Sequence, residues 1–353
     1  MSWENNIRKV VPYVPGEQPV GKVIKLNTNE NPYPPSKAVV DALEGMKKEY
    51  DQYRKYPDPD AKTLVEALAK AYGVDTNQVF VGVGSDDVLA IAFLTFFAGD
   101  KPILFPDITY SFYDVWADLF RIPYETIALR EDFTISPDDY KRENGGIIFP
   151  NPNAPTSLEL DTASVEKIIQ ANPESIVIVD EAYIDFGGTS VLPFIDKYDN
   201  LLVVQTFSKS RSMAGARIGF AIGNPKLIKY MQDVKFSFNS YTMDQNVLRV
   251  GVAAVNDSEY FDETRKKIIE TREAAVKKLG ELGFTGPKSS ANFVFMKHES
   301  IPASKIFDEL KKKNIYVRYF KKPRIDNYLR ITIGTPEEME ALYCALDEII
   351  KMN

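Results

Sequence analysis

The sequence is poor in the residues that disulfides and soft metal sites require. Its 353 residues include one cysteine, Cys344, and one histidine, His298. A single cysteine cannot close a disulfide within the chain, and these two side chains are too few for a zinc site. A serine, histidine and aspartate triad is nearly excluded for the same reason. We expect no metal, and we expect Cys344 in the core and His298 at the surface.

Long apolar runs are missing as well. The longest stretch without a charge, glycine or proline is Val88–Ala98, shorter than the about 20 residues that a transmembrane helix needs. The first ten residues, MSWENNIRKV, are polar where a signal peptide has an apolar core. We therefore expect a cytoplasmic protein without a membrane partner.

A surplus of positive charge is also absent. There are 43 lysines and arginines against 50 aspartates and glutamates, which gives a formal charge of −7. Nucleic-acid binders normally carry a basic surplus that neutralises phosphates, so no nucleic-acid partner is expected. Hydrophobic residues make up 44% and charged residues 26%, as in ordinary globular proteins. The chain therefore folds around a buried core.

Short apolar runs alternate with helical patterns from residue 36 onward, which is typical of an α/β protein with a mostly parallel sheet flanked by helices. The predicted strands are Gln78–Val81, Pro102–Phe105, Gly146–Phe149, Ser175–Val179, Leu201–Thr206 and Arg217–Ile222. The predicted helices are Ala61–Tyr72, Asp86–Ala98, Tyr110–Phe120, Thr162–Ala171, Pro225–Lys235, Met243–Val255 and Glu259–Leu282.

The character of the chain changes near residue 257. The segments that follow predict a smaller α+β domain with strand Asn292–Met296, helix Ala303–Lys313, strands Ile315–Arg318 and Tyr328–Ile333, and helix Pro336–Ile350. The first 35 residues are rich in proline and lack a helical period. We therefore divide the chain into an arm (1–35), a large domain (36–256) and a small domain (257–353).

A lysine follows one of the predicted strands. Strand Leu201–Thr206 leads to Ser208 and Lys209, and small residues and Arg217 come next. Ligands of open α/β sheets lie at the carboxyl ends of strands. A lysine there can form a Schiff base with a carbonyl cofactor, while hydroxyls and a guanidinium suit a phosphate. A solvated loop lysine is the alternative.

A carboxylate and a phenol follow the neighbouring strand. Asp180 ends the apolar run SIVIV, and Tyr183 comes three residues later. A buried aspartate is the partner that a protonated pyridine nitrogen needs. A helix cap or a metal carboxylate is the alternative for Asp180, and a rim aromatic for Tyr183. Asp-Glu at a strand end also occurs in nucleotide hydrolases, but no GxxxxGK[ST] motif accompanies it.

A glycine-containing loop follows strand Gln78–Val81. It reads Gly82-Val83-Gly84-Ser85-Asp86-Asp87 and opens a predicted helix, whose first amides favour an anion. Asp87 stands at the third glycine of a dinucleotide fingerprint, so a single phosphate fits better. A tight turn capped by Ser85 or Asp86 is compatible with either use.

Eight motifs together carry a family resemblance that covers essentially the whole chain. In order they are NTNENPYPP, RKYPDP, GVGSDD, FPDITYSFY, FPNPNAPTS, VDEAYIDF, TFSKSRSMAGARIGF and YLRITIG. This set resembles the histidinol-phosphate aminotransferases, within the fold-type I superfamily of enzymes that use pyridoxal phosphate. The resemblance implies that fold, that cofactor and a homodimer with a shared active site.

The resemblance also implies roles for individual residues at the cofactor. Lys209 forms the Schiff base and moves the proton, Asp180 pairs with the pyridine nitrogen, and Tyr183 contacts the ring hydroxyl. The remaining cofactor residues are Tyr110, which stacks on the ring, Ser85, Asp86, Thr206, Ser208 and Arg217, which hold the phosphate, and Tyr56, which reaches that phosphate from the neighbouring subunit.

On the substrate side the resemblance implies four residues. Arg330 and Arg318 would bind the substrate phosphate, and paired guanidinium groups suit that anion. Asn29 and Tyr13 would contact the rest of the substrate, with Tyr13 near the imidazole or, alternatively, packed on the partner subunit. The runs containing Lys311 and Lys322 are expected to form a solvated face.

The sequence departs from the family at one motif. The usual NPNNPTG reads Asn151-Pro152-Asn153-Ala154-Pro155-Thr156-Ser157, so the asparagine that donates to the ring hydroxyl is replaced by alanine. We expect Asn153 to take over this hydrogen bond, with Tyr183 and a water as the alternative.

The activity implied is transamination between L-histidinol phosphate and 2-oxoglutarate in histidine biosynthesis. The products are imidazole acetol phosphate and L-glutamate. Threonine-phosphate decarboxylase and aromatic amino-acid aminotransferase are the alternatives, and a non-catalytic binding protein with this fold is a third.

Overall fold

A computed structural model describes residues 2–352. The α-helices are α1 (Lys37–Met46), α2 (Lys62–Tyr72), α3 (Ser85–Phe96), α4 (Tyr113–Phe120), α5 (Thr162–Ala171), α6 (Pro225–Phe238), α7 (Gln245–Asn256), α8 (Ser258–Glu281), α9 (Ala303–Lys312) and α10 (Pro336–Lys351). The strands are β1 (Ile24–Lys25), β2 (Val79–Gly82), β3 (Ile103–Pro106), β4 (Tyr124–Ile127), β5 (Gly146–Pro150), β6 (Val177–Asp180), β7 (Leu201–Thr206), β8 (Gly219–Gly223), β9 (Phe284–Thr285), β10 (Phe293–His298), β11 (Ile315–Tyr316), β12 (Arg318–Tyr319) and β13 (Leu329–Thr332). No helix of this part of the chain is long and apolar enough to cross a membrane.

A seven-stranded sheet forms the centre, in the order β2-β8-β7-β6-β5-β3-β4. All neighbours are parallel except at β8, which runs antiparallel to β2 and β7. Both faces are buried, because successive residues enter different cores: Ile147 and Phe149 of β5 pack on one side and Ile148 on the other. This double burial explains why the strands read as unbroken apolar runs.

A second sheet follows in the last third of the chain. Its order is β12-β13-β10-β9, all antiparallel, and it packs with residues of α8, α9 and α10 in a separate core. The arm joins this region, because β1 pairs in parallel with β11. A small cluster that includes Ile108, Phe133, Phe295 and Ile325 connects the two parts. The first sheet is formed before residue 257 and the second after it, and the division into an arm, a large and a small domain stays a proposal.

Several features depart from the sequence predictions: the short strands β1 and β9 were not predicted, and the expected strand Ile315–Arg318 is divided between β11 and β12. Helix α1 and strand β4 were not predicted, and β4 is an edge strand whose middle residues are exposed, so it has no apolar run. The strand expected from Arg217 begins at Gly219, because Arg217 has a left-handed backbone with φ 53°.

Two single residues were placed wrongly. His298 is buried, and its Nδ1 accepts hydrogen bonds from the backbone N–H groups of Ser300 (3.2 Å) and Ile301 (3.1 Å). Its polar neighbours in the sequence suggested a surface position. The two backbone N–H groups of the turn give the buried ring nitrogen its hydrogen-bond partners, so the side chain can be buried. Cys344 is exposed, because it lies at the edge of the apolar stripe of α10.

Ser157 carries a local strain. Its φ is 64°, a conformation that disfavours residues with a Cβ, and its fully buried Oγ has no hydrogen-bond partner among the described residues. Glycine occupies this position in the related motif. The serine therefore costs stability on two counts.

We predict that Ser157→Gly raises the free energy of unfolding by about 1 kcal/mol, because it relieves both the left-handed strain and the unpaired hydroxyl. Urea unfolding of the purified protein measures this. Ser157→Ala is the matched control, since it removes the hydroxyl and keeps the Cβ, and should give a smaller gain. A Ser157→Gly variant no more stable than the wild type would contradict the account.

Candidate active site

The carboxyl ends of the central strands open into a cavity of about 160 Å³, which we call the inner cavity. Open α/β sheets bind ligands at this edge because the loops of several strands converge there. Nine residues predicted to bind the cofactor line it: Ser85, Asp86, Tyr110, Asp180, Tyr183, Thr206, Ser208, Lys209 and Arg217. The fold therefore brings together residues that are distant in sequence.

Lys209 lies just beyond β7, at the wall of the inner cavity. Its Nζ donates to the backbone oxygen of Thr28 at 3.1 Å and lies 5.8 Å from the centre of the Tyr183 ring. The amide of Asn31 donates to the backbone oxygens of Lys209 (3.0 Å) and Ser210 (3.3 Å). These contacts fix the turn and aim the amine at the cavity.

Asp180 is the last residue of β6 and is buried. Its carboxylate accepts from the hydroxyl of Tyr113 at 2.9 Å and from the backbone N–H of Ala182 at 3.2 Å. Burial raises the pKa of Asp180 to about 6, since a carboxylate away from water holds its proton more tightly. A cation in the inner cavity would restore the charged form.

An anion subsite lies where α3 begins. Arg217 Nη2 contacts the carboxylate of Asp86 at 3.0 Å and Nη1 contacts Ser208 Oγ at 3.4 Å. The backbone here has no room for side chains: a Cβ at Gly84 would lie 2.5 Å from Arg217, and one at Gly219 would lie 2.2 Å from the backbone N of Ser85. Hydroxyls, a guanidinium and helix N-terminal amides together suit a phosphate.

A second cavity of about 140 Å³, the outer cavity, adjoins the first and shares Thr28, Tyr110 and Ala154 with it. Tyr13 lines the outer cavity and stacks on Phe112, with ring centres 4.1 Å apart. The cavity thus contains a predicted substrate residue from the arm and lies next to the predicted cofactor residues.

Two arginines enter the outer cavity from adjacent strands. Arg318 of β12 is the register partner of Arg330 of β13. Arg330 Nη2 donates to the backbone oxygen of Asn27 at 2.8 Å, whereas its buried Nε has no partner among residues 2–352. Burial lowers the pKa of Arg330, and no carboxylate is paired with it in this part of the chain. Within the described chain, the guanidinium group of Arg330 therefore has no anionic partner, and a ligand can supply one.

Three of the predicted residues line neither cavity in the described chain. The amide of Asn153 donates to Ile108 O (3.0 Å) and Thr156 Oγ1 (2.9 Å), so its expected bond to the ring hydroxyl stays a prediction. Asn29 donates to the Tyr183 hydroxyl at 3.0 Å. Tyr56 is 79% exposed and stacks on Tyr241.

Sequence reasoning missed several residues of the site. Lys322, expected on a solvated face, lines the outer cavity. Tyr113, the partner of Asp180, stands three residues after Tyr110, and this helical spacing was an available signal. Glu30 of the NENP motif lines the inner cavity, where it is ion-paired with Lys25.

The comparison with known sequences assigns the family. The model of the family described as aminotransferase class I and II matches residues 21–346. The chain belongs to the class I and II aminotransferases. Histidinol-phosphate aminotransferase 1 of Hydrogenovibrio crunogenus is 53% identical over 350 residues, which are 99% of this chain and 98% of the relative. Histidinol-phosphate aminotransferase of Clostridium acetobutylicum is 52% identical over 350 residues, 99% of each chain.

Solved structures of such aminotransferases share the fold. Histidinol-phosphate aminotransferase from Sinorhizobium meliloti, in complex with pyridoxal-5'-phosphate, superposes with a TM-score of 0.85 at 23% identity, covering 94% of this chain and 92% of that one. The structure from Clostridium acetobutylicum gives 0.86 at 21% identity, covering 94% and 100%. The predicted fold type is confirmed.

Pyridoxal phosphate is the cofactor of this aminotransferase family. The residues of the inner cavity fit it by their chemistry. The anion subsite suits its phosphate, the buried carboxylate of Asp180 suits its ring nitrogen, and the amine of Lys209 suits its aldehyde. Gly84 and Gly219 carry no side chain that would collide with Arg217 or with the backbone of Ser85, so they let these two phosphate-binding candidates pack close together.

Glu181 is a second buried carboxyl group, on the side of β6 away from the cavity lining. It accepts hydrogen bonds from Ser190 Oγ (2.6 Å), Val191 N (2.8 Å) and Gln205 Nε2 (2.8 Å). Burial nonetheless raises its pKa to about 7 from the usual 4.5. Its hydrogen bond with Gln205 links the end of β6 to β7, the strands that end at Asp180 and precede Lys209.

We predict that the cofactor-free protein loses stability as the pH rises from 5 to 8. Because the native pKa of Glu181 lies above the unfolded value, its contribution to stability is complete below about 4.5, falls between about 4.5 and 7, and is lost above about 7. The loss is roughly 1–3 kcal/mol. Urea unfolding at several pH values measures it.

Glu181→Gln should flatten this slope, and the raised pKa of Asp180 accounts for what remains. The control is Glu143→Gln, an exposed carboxylate paired with Lys101, which should leave the slope unchanged. An unaltered slope in Glu181→Gln would refute the assignment.

Proposed function

We propose that this protein transfers the amino group of L-histidinol phosphate to 2-oxoglutarate, yielding imidazole acetol phosphate and L-glutamate in histidine biosynthesis. The observation that carries the proposal is the pair Arg318 and Arg330 in a cavity that adjoins the one lined by Lys209, where Arg330 Nε has no hydrogen-bond partner in the described part of the chain. The names of relatives at about 50% identity over nearly the full chain support it.

The inner cavity holds the cofactor through this chain's own groups. The amides of Ser85 and Asp86 with Thr206, Ser208 and Arg217 bind its phosphate. Asp180 keeps the ring nitrogen protonated, and Tyr110 lies against the ring. When bound, pyridoxal phosphate supplies an electron sink that makes a Cα proton of the substrate removable.

Lys209 is the base in this proposal. Its Nζ lies 3.1 Å from Thr28 O at the wall of the inner cavity. From there the amine can take a proton from the substrate Cα and later give that proton back to complete the transfer. Tyr113 and the backbone of Ala182 orient the Asp180 carboxylate, so the charge that supports this transfer is held in place.

The outer cavity selects the substrate. Arg318 and Arg330 bind the phosphate, Lys322 at the cavity wall adds a third cation, and Tyr13 lies beside the imidazole. Guanidinium groups bind phosphate through paired charge-assisted hydrogen bonds. The same arginines bind a carboxylate of 2-oxoglutarate in the second half of the reaction.

A single-turnover experiment tests this function. Mixing the cofactor-loaded protein with histidinol phosphate should convert the cofactor absorbance to that of the amine form, because the amino group has moved to the cofactor. Lys209→Ala should still bind the cofactor and lose this conversion by at least about a thousandfold, since the base is gone. Borohydride reduction should attach the cofactor to the peptide that contains Lys209.

The same substrate panel decides between the alternatives. Release of carbon dioxide from O-phosphothreonine without an oxo acid would replace the proposal by the decarboxylase. Conversion by an aromatic amino acid but not by histidinol phosphate would make the protein an aromatic aminotransferase. Full cofactor loading without any conversion would leave a non-catalytic binding protein.

We further propose a homodimer in which Tyr56 reaches the cofactor phosphate of the partner. Its surroundings support this, because several aromatic side chains are exposed on one chain: Tyr50, Tyr53, Tyr56, Phe238 and Tyr241. Of these, Tyr56 and Tyr241 stack with ring centres 4.6 Å apart, and exposed apolar patches are typical of interfaces. The segment that contains Tyr56 is anchored by the buried Lys235, whose Nζ donates to Pro59 O at 3.0 Å.

Mixed dimers of Lys209→Ala and Tyr56→Phe chains test the shared site. Tyr56→Phe alone should weaken cofactor binding about tenfold through loss of one charge-assisted hydrogen bond. In the mixed dimer, the site that keeps Lys209 receives the intact Tyr56 of the other chain, so its cofactor affinity should equal that of the wild type. Weak binding at that site would show that Tyr56 acts within its own subunit, and a Tyr56→Phe homodimer with wild-type affinity would show that Tyr56 does not contact the cofactor.

The single cysteine agrees with a reducing compartment, and we propose a cytoplasmic location. Fractionation of cells that express the protein at its natural level is the direct measurement.

A further inference from the structure

Asn29 makes hydrogen bonds with every polar group it has, although it lines neither cavity in the described chain. It is 1% exposed and has a left-handed backbone with φ 57°. Its backbone N–H and side-chain oxygen both contact Thr332, and its side-chain nitrogen contacts Tyr183. Its backbone oxygen accepts from the amide of Asn292 at 3.0 Å. A buried, strained and fully bonded residue beside an active site calls for a role.

The direction of these hydrogen bonds is fixed from one end. A backbone N–H can only donate, so the bond from Asn29 N to Thr332 Oγ1, 3.0 Å long, occupies the oxygen of that hydroxyl. The hydroxyl hydrogen of Thr332 then goes to Asn29 Oδ1, also at 3.0 Å. The amide is thereby oriented with Nδ2 toward the Tyr183 hydroxyl, 3.0 Å away.

In this orientation the hydroxyl hydrogen of Tyr183 has no acceptor among the described residues. Its oxygen accepts from Asn29, so its own hydrogen must point elsewhere, and Tyr183 lines the inner cavity. The usual second donor is missing, because Ala154 lines the cavity and has no polar side chain. The amide of Asn153 is engaged with Ile108 and Thr156. Donation to the ring oxygen of a bound cofactor therefore depends on Tyr183.

We propose that Asn29 and Thr332 are positioning residues that fix Tyr183 as the hydrogen-bond donor to the ring hydroxyl oxygen of bound pyridoxal phosphate. The proposal rests on the function proposed above, because it needs the cofactor in the inner cavity. A hydrogen bond donated to that oxygen stabilises its negative charge and weakens its hold on a proton. Asn29 and Thr332 thus set the protonation of the cofactor without touching it.

Other titratable groups face Tyr183 from the surrounding elements. They are Lys209 after β7, Tyr110 before α4, Tyr113 in α4 and Arg330 in β13. None of these four groups is changed in the variants below, which alter only Asn29, Thr332 and Tyr183. A shift common to those variants therefore reports the relay.

The experiment is a pH titration of the visible absorbance of the cofactor-loaded protein. Thr332→Val keeps the shape of the side chain but removes the hydroxyl, so the Asn29 amide loses its orientation. We expect the midpoint to rise by up to about one pH unit, the size of one hydrogen bond. Thr332→Ser restores the hydroxyl and should titrate as the wild type does.

Asn29→Gly deletes the donor and tolerates the left-handed backbone, so it should shift the midpoint in the same direction. Tyr183→Phe gives the shift expected when donation is lost completely. In the Tyr183→Phe background, Asn29→Gly should add nothing, because Asn29 acts through Tyr183. An additive shift in the double variant would overturn the relay and show a general structural effect.

Two outcomes separate this inference from the proposed function. A wild-type protein that binds no pyridoxal phosphate would overturn the proposed function, and this inference with it. A wild type that titrates, together with Thr332→Val and Asn29→Gly variants that titrate identically to it, would overturn the relay alone. The Thr332 pair keeps the test decisive if Asn29→Gly does not fold.

Discussion

The carboxylate of Asp180, removed from water at the end of β6, is the constraint on which the site depends. Its two hydrogen bonds, from Tyr113 and Ala182, do not offset the burial, and its pKa rises accordingly. Such a group is stabilised by a cation beside it. In the proposed function the neighbouring strands and α3 supply the remaining groups that would hold a cationic ring beside Asp180. The arrangement of this edge of the sheet is then explained by one buried carboxylate.

The sequence predicts the sheet and most of the inner cavity, because both follow from local patterns. The strands that contain Asp180 and precede Lys209 are apolar on both faces, and the polar residue that ends each run marks the edge of the sheet. Parallel strands end at the same edge, so residues far apart in sequence could be assigned to one site. The family motifs added the identity of the ligand.

What the sequence could not predict depends on long-range contacts. The pairing of β1 with β11 involves two residues on each side, too few for a periodic pattern. Lys322 looks like any surface lysine until β12 and β13 place its loop over the outer cavity. The orientation of the Asn29 amide depends on Thr332, some three hundred residues later in the chain, and no local signal reports it.

Ala154 forms part of the wall of both cavities. Its methyl group, together with Thr28 and Tyr110, lies where the proposed spaces for the cofactor ring and for the substrate adjoin. Any larger side chain there would narrow two compartments in a single step, so changes of substrate preference and changes of cofactor chemistry are linked through this position. A redesign of either cavity at this position must therefore treat both as one volume.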